Sequence, residues 1–310
     1  MALTLVESMK LALGRDEIPL ATVMELYARS ADILQTMPFM DIAGGSLTYN
    51  REQSLPSVGF RAVNEAYDEG TGKVDRVTEM LFIAGGDADV DTYFGKTGNS
   101  DQRGVEEAMK IKALGLSLAK TFVKGDTESD PKEFDGLQAR LIGDQLVDAG
   151  ASSGGDALSL AKLDELYDTV DEPTHWLMNK TMRRRLSAAA RLSTVGGYIT
   201  YELDAFGRKV AFYNDLPILI ADKDNEYNEV MPFTEAADSG TSQCTSIYCL
   251  SFTENGVVGL QNGEMSVNDL GEIDEKPVYR TRIEWLVSMA ILRARAAARL
   301  RYIKDGAVTV

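Results

Sequence analysis

The stretch GGSLTYNREQSLPSVGFRAVNEAYDEGTGKVDRVTEM, residues 44–80, decides how this chain is read. Strand-like alternation runs through Leu47/Tyr49, again through Val58/Phe60/Ala62, and again through Val74/Arg76/Thr78. That period of two marks a pleated strand. Between the runs stand turn and polar residues: Asn50, Gln53, Ser54, Pro56, Asn64, Asp68, Glu69, Gly70 and Gly72. A hairpin this long has too few large apolar side chains to offset its own ordering entropy. The plain alternative is a decorative or disordered surface loop. An arm that lies on a neighbouring subunit accounts better for the length, and that is the expectation adopted.

The rest of the composition narrows the class. A chain of 310 residues holds one large domain or two modest ones, either with a proper core. With 44% hydrophobic and 26% charged residues it reads as a soluble globular protein. A formal charge of -16 argues against general affinity for nucleic acid, which needs a basic footprint. Cys244 and Cys249 sit in one strand-like run without the paired CxxC spacing of a zinc site, which suggests a reducing compartment. The densest apolar run, Leu216 to Ala221, is far too short to span a bilayer, so no membrane partner is expected. The N-terminal MALTLVESMKLALGRD lacks a basic leader and is interrupted by Glu7, so no signal peptide is expected and synthesis is cytosolic.

Working outward, the first forty residues read as two short helices, with Pro19 at a helix start and a stripe of Leu20, Val23, Met24, Tyr27, Ala31 and Leu34. A strand-like run from Val77 to Ile83 is expected to stop at Gly85-Gly86. Asp101 then caps a long helix whose face is Ala108, Ile111, Leu114/Gly115, Leu118 and Phe122, ending at Gly125. Leu160, Leu163, Leu166 and Val170 mark another helix, capped by Ser159 and followed by Pro173. A strand at His175–Met178 leads through Asn179 into a helix from Lys180 to about Arg191. Further strands are expected at 198–201, 209–213, 216–220, 247–252 and 257–260. The C-terminal part alternates from Val278 and closes in ARAAARLRYIK, where Arg280, Arg282, Arg293, Arg295, Arg299, Arg301 and Lys304 face few acids nearby in sequence. These residues suit either a solvated helix face or local salt bridges, or a basic seam that meets an acidic one on another subunit.

Candidate chemistry is sparse. The one histidine, His175, heads an apolar strand with no Gly-x-Ser-x-Gly elbow elsewhere, and reads as structural. Asp87-Ala88-Asp89-Val90-Asp91 begins like a calcium loop, but Thr92 stands where glycine is needed and Gly98 where a bidentate glutamate is needed. It and Asp222-Lys223-Asp224-Asn225-Glu226 read as polar turns. Gly150-Ala151-Ser152-Ser153-Gly154-Gly155 has phosphate-loop composition, yet Asp156 follows in place of Gly-Lys-Ser/Thr, so it reads as a flexible connection. No catalytic, cofactor-binding or metal-binding residue is singled out.

The order of parts nonetheless resembles a known family. Phe134-Asp135-Gly136-Leu137, the helix from Leu158 to Asp171, and Trp176-Leu177-Met178-Asn179 before a helix follow in its usual succession. So do Phe206-Gly207 before Leu216-Pro217-Ile218, and the closing Arg280-Thr281-Arg282-Ile283-Glu284-Trp285 with Ala296-Ala297-Ala298-Arg299-Leu300. Together they resemble a tailed-bacteriophage major capsid protein of the Hong Kong 97-like fold. The resemblance implies an α+β capsid fold with an N-terminal arm at 1–43 and an extended E-loop hairpin at 44–80. It implies a peripheral domain at 81–151 and 263–310 with a spine helix at 101–124, and a mixed α/β axial domain at 152–262. It implies a structural subunit, not an enzyme, of an icosahedral virion shell made of hexamers and pentamers of itself around double-stranded DNA. A separate scaffolding protein, a portal and a decoration protein are the further partners it suggests. Lys–Asn cross-linking is not carried over, because no matching Lys, Asn and Glu set is found. An encapsulin-type nanocompartment shell protein is the alternative, and an acidic α/β enzyme a more distant one.

Overall fold

Two sheets and one long helix organise the chain in a computed structural model that describes residues 3–4, 31–93, 102–150, 154–191, 199–203, 209–237, 242–263 and 265–309. The stripe around Pro19, the Asp101 cap and Phe206-Gly207 lie outside the described residues.

The first sheet joins β1 (Leu3–Thr4), β2 (Pro38–Asp41), β5 (Phe82–Asp91), β14 (Val257–Gln261), β15 (Ser266–Glu272) and β16 (Val278–Ile291). β16 is its spine because it alternates: Thr281, Ile283, Trp285 and Val287 are buried, while Glu284 and Leu286 are exposed. It pairs antiparallel with β5 from Val278↔Asp91 to Val287↔Phe82. The expected stop at Gly85-Gly86 is not observed. The chain breaks earlier, at Leu81, and β5 runs through both glycines. A Cβ on Gly85 would lie 2.5 Å from the Ile283 carbonyl oxygen, so this glycine permits the close approach of β16, whereas at Gly86 only the movable end of Lys110 is near.

The second sheet runs β6 (Leu146–Asp148), β17 (Ala297–Thr309), β13 (Ser242–Leu250), β8 (His175–Met178), β11 (Leu216–Ile220), β10 (Lys209–Tyr213) and β9 (Ile199–Leu203). β7 (Asp156–Ser159) adds to β17, and β12 (Glu235–Ala236) adds to β13. The Ala/Arg-rich end, weighed as a solvated helix face, is the strand β17 instead. Ala297 faces one apolar cluster while Ala298, Leu300 and Ile303 face another, so both sides are buried and tertiary packing overrides helix propensity. The expected division at 263–310 therefore spans two sheets: β16 belongs to the first and β17 to the second.

Helix α1 (Asp32–Thr36) and the 23-residue α2 (Gln102–Lys124) cover the first cluster. At about 1.5 Å per residue, α2 is about 34 Å long. It buries Ile111, Leu118, Phe122 and Val123, so helical spacing along one face makes the contact. Phe122 lies 4.9 Å from Phe134 and 6.3 Å from Phe39, ring centre to ring centre. After a short turn, α3 (Leu137–Arg140), α4 (Leu160–Thr169) and α5 (Lys180–Ala189) follow. α4 and α5 pack Leu163, Leu166, Met182 and Leu186 into the second cluster, with Trp176 beneath. Ser159 occupies the N-cap position of α4, but its side chain makes no capping bond. Asn179 does cap α5: its Oδ1 accepts from Met182 N at 2.8 Å, and its Nδ2 donates to the Met231 carbonyl at 2.8 Å.

The basic residues near the C-terminus are matched within the chain. Arg280 makes a bidentate pair with Asp89 and Arg282 another with Asp87, and in each case the partners stand opposite in the β5–β16 register. Arg293 pairs with Glu172, Arg299 with Glu235, and Arg301 with Asp148 at 2.5 Å. The proposed trans seam is thus largely neutralised in cis. Asp87–Asp91 is neither a turn nor a cation loop but strand β5. The guanidinium bonds hold the Asp87 and Asp89 carboxyls below their ordinary value of 3.8. A depressed carboxylate contributes stability that is complete above pH 3.8 and fades as pH falls through the lowered value. Reversing Arg280 and Arg282 to Glu sets four carboxylates along one seam, so thermal unfolding should show a lower Tm at neutral pH. Adding Asp87→Arg and Asp89→Arg should recover most of that loss, whereas an unchanged Tm in the first variant would count against the seam.

Candidate assembly surface

The hairpin that opened the sequence reading is built from β3 (Ser46–Ser54) and β4 (Lys73–Met80), paired antiparallel from Ser46↔Met80 to Ser54↔Lys73. Its middle run, Val58/Phe60/Ala62, is not a strand; residues 55–72 form an irregular tip. Asn64 adopts φ +70° there, and Glu65 accepts from the Ala62 amide at 2.9 Å, closing a local turn that breaks the alternation. Val58 is 93% exposed and Val63 91%, with Leu55, Phe60 and Tyr67 also bare.

The root is held where the tip is not. Tyr49 donates its hydroxyl to the Ile291 carbonyl at 3.0 Å, and Leu81 N donates to Gly45 O at 2.9 Å. Leu47 and Tyr49 pack on Ile42, Val258, Leu260 and Ala290. Burial, with Glu79 second, pushes the Tyr49 hydroxyl above its ordinary value of 10.0. Arg140 from α3 forks onto both oxygens of Glu79 in β4 and also donates to the Asp135 carbonyl at 2.6 Å. Glu79 is 8% exposed, so this clamp is mostly dry. Arg140→Ala should cost between the ~1 kcal/mol of an exposed pair and the ~3–5 kcal/mol of a buried one, because a swinging root rehydrates Glu79. Hydrogen exchange should rise at 45–54 and 73–81 while β13 stays protected; equal exchange in both regions would remove the clamp from the account.

The other residues weighed from sequence are dispersed. His175 stands on β8, its Nδ1 2.8 Å from Thr174 Oγ1 and its ring 5.2 Å from Phe252; burial lowers its imidazole to about 4. It borders a cavity of roughly 280 Å³ that Asp32, Lys209 and Phe212 also line. Asp224 is buried in a turn, accepting from the Glu226 and Asn228 amides at 2.9 Å each and pairing with Lys120 at 3.1 Å. These bonds make it a loop organiser and lower its carboxyl. Cys244 and Cys249 are free, buried thiols on β13, and burial raises Cys249 to about 12. Among the described residues no group of His, Cys, Asp and Glu is arranged to hold a metal. Sequence reading missed the Arg–Asp seam, although matched Arg-x-Arg and Asp-x-Asp spacing was a visible signal for cross-strand pairs.

The chain has a mixed α/β fold with few helices, many strands and a bare hairpin. Solved structures share this fold. The holo-SrpI encapsulin complex of Synechococcus elongatus PCC 7942 is 18% identical over 90% of this chain and 89% of its own, with a TM-score of 0.64. The capsid of a native GTA particle is 16% identical over 88% and 90%, with 0.61. Microbacterium phage Oxtober96 is 13% identical over 87% and 90%, with 0.59. No curated protein matches the sequence. The family model of the major capsid protein GP7 matches residues 15–163. The fold is thus the one shared by these capsid and encapsulin structures, and residues 15–163, just under half of the chain, are similar to the major capsid protein family.

Proposed function

We propose that the chain is the repeating subunit of an icosahedral phage head, joining copies of itself into hexamers and pentamers that enclose double-stranded DNA. The observation that carries this is the hairpin, clamped at its root and apolar at its exposed tip. A subunit that spends so much chain on a bare arm gains only when a neighbour covers it. In this reading residues 44–80 act as the E-loop, α2 as the spine helix, and 1–43 as the N-terminal arm. The first sheet with α2 forms the peripheral domain and most of the second forms the axial domain, with β17 crossing into it. The charge of -16 lets a shell contain a genome without gripping it. Many weak contacts repeated around a closed shell supply its stability. A separate scaffolding protein, a portal and a decoration protein complete the head, which is assembled after synthesis in the host cytoplasm.

The second reading, an encapsulin-type compartment, is favoured by the likeness to the SrpI shell; the capsid family match favours a head. Electron microscopy of the protein expressed with and without its neighbouring genes, with a nuclease-protection assay, separates them. Closed particles that protect DNA support the head. Closed particles that hold only protein support the compartment, and dispersed small species in both preparations would remove both.

A further inference from the structure

Residues 180–191 read KTMRRRLSAAAR, which places Lys180, Arg183, Arg184, Arg185 and Arg191 together with no acidic residue, in a chain of net charge -16. Most of this stretch is α5, which buries Met182, Leu186 and Ala189. Helical geometry then turns Lys180, Arg184 and Arg191 to the outside, while Arg183 and Arg185 lie half-buried on the helix flanks. The arginines of β16 and β17 have carboxylate partners in cis, and so does Arg185, whose Nε lies 2.8 Å from Asp305 Oδ1. Lys180 meets Asp222. Arg183, Arg184 and Arg191 have no carboxylate partner among the described residues, and Arg183 Nε is buried without an acceptor.

Arg184, Ala188 and Arg191 are exposed and continue along one face. Ser187, on the same flank, lies 3.3 Å from the Tyr201 hydroxyl, which brings β9 alongside. Within the second sheet β9 ends the strand order, and it carries Tyr201 at 56% and Leu203 at 68% exposure. Unpaired guanidinium groups beside an exposed tyrosine and leucine on an edge strand are the chemistry of a protein interface.

The complement lies on the same chain. α4 and the turn after it expose Asp164, Glu165, Asp168, Asp171 and Glu172; Glu165 pairs with Lys162, Asp171 with Arg295 and Glu172 with Arg293, so Asp164 and Asp168 leave the face net negative. Asp168 has no cation within the described residues, and no ion pair joins α4 to α5 among them, although both helices share one apolar cluster. We infer that the α5–β9 face of one copy docks on the acidic outer face of α4 in the next copy. Two different patches on one chain make a head-to-tail contact, and repeating such a contact closes a ring when the rotation allows. A nucleic-acid partner fits less well, because the surrounding acidic chain repels phosphate. The inference rests on the shell reading only in requiring that copies associate.

The test uses the full chain, followed by sedimentation velocity and electron microscopy. Arg184→Glu/Arg191→Glu should leave the melting transition of the subunit in place, since both positions are exposed. It should reduce rings and shells at least tenfold at matched concentration. Glu165→Arg/Asp168→Arg should do the same, and all four changes in one chain should restore assembly, since the signs are complementary again. Assembly of the first variant at the wild-type level would overturn the inference. So would a loss that the four-fold variant fails to repair, or normal assembly with altered retention of nucleic acid, which would assign the helix to the genome instead. A wild-type chain that never closes shells counts against the proposed function alone, because sedimentation still reads the pairwise contact.

Discussion

Replacing residues 55–72 with a two-residue Asn-Gly turn is expected to yield a folded subunit that forms no shells. Ser54 and Lys73 already face each other in the β3–β4 register, so a two-residue turn can join them without disturbing the ladder. The deleted tip leaves Leu55, Val58, Phe60 and Val63 bare, and the hydrogen bonds seen within it are local. Removing it therefore costs the isolated subunit little, and shortening the loop lowers its closure entropy. Surface changes of this kind ordinarily stay within about 0.5 kcal/mol. The loss falls on assembly, because the apolar tip is what a neighbour would bury. At ~25 cal/mol per Å², four large apolar side chains contribute several kcal/mol per contact, and a shell repeats that contact many times. Calorimetry and electron microscopy check the two halves separately. Closed shells at normal yield would end the arm reading, while a collapsed melting transition would show that the tip supports the fold.

Arg299→Ala is expected to be the most damaging single charge deletion. Arg299 on β17 donates to Glu235 at 2.8 Å and to Ser246 Oγ at 2.9 Å, and Ser246 donates to the same Glu235 oxygen at 2.5 Å. The Arg299 and Glu235 side chains are 11% and 8% exposed, and the second Glu235 oxygen has no hydrogen-bond partner. Without the guanidinium a buried carboxylate is left almost uncompensated, which ordinarily costs about 3–5 kcal/mol. Half-buried Lys124, whose ammonium is destabilised by burial and favoured by Glu235, is the nearest remaining help. For a chain of this size the loss corresponds to a fall in Tm on the order of 10 °C. Replacing both partners together, as Glu235→Gln/Arg299→Met, should be milder than Arg299→Ala, because no charge is stranded. Urea unfolding measures all three, and a single-variant loss below about 1 kcal/mol would mean that water reaches the site.

These two residues also mark where legibility ended. The strands at Lys209–Tyr213 and Leu216–Ile220 were readable because β-rich runs end there at Asn214 and Asp215, both at positive φ. The α2 face was readable because its apolar period is long enough to exclude a strand. The hairpin was readable at its ends, through Leu47/Tyr49 and Val74/Thr78, but not in its middle, where alternation without a pairing partner forms no strand. Arg299 and Glu235 are far apart in sequence, and nothing local to either announces the other. The same holds for Arg140 and Glu79. Sequence reading left local salt bridges and a seam to another subunit both open at the basic end, because the compensating acids arrive only through strand register.

Periodicity, turn chemistry and order of parts were therefore written in the sequence: a mixed α/β chain with a long helix and a long hairpin. These are properties of contiguous segments, set by backbone sterics and by how side chains repeat along them. Which strand neighbours which, where Arg280 finds Asp89, why Ala297-Ala298 is a strand, and which arginines stay unpaired on α5 were decided by the tertiary structure. Those outcomes depend on burial and on distances between segments remote in sequence, and desolvation makes them strong only once the sheets have closed around them.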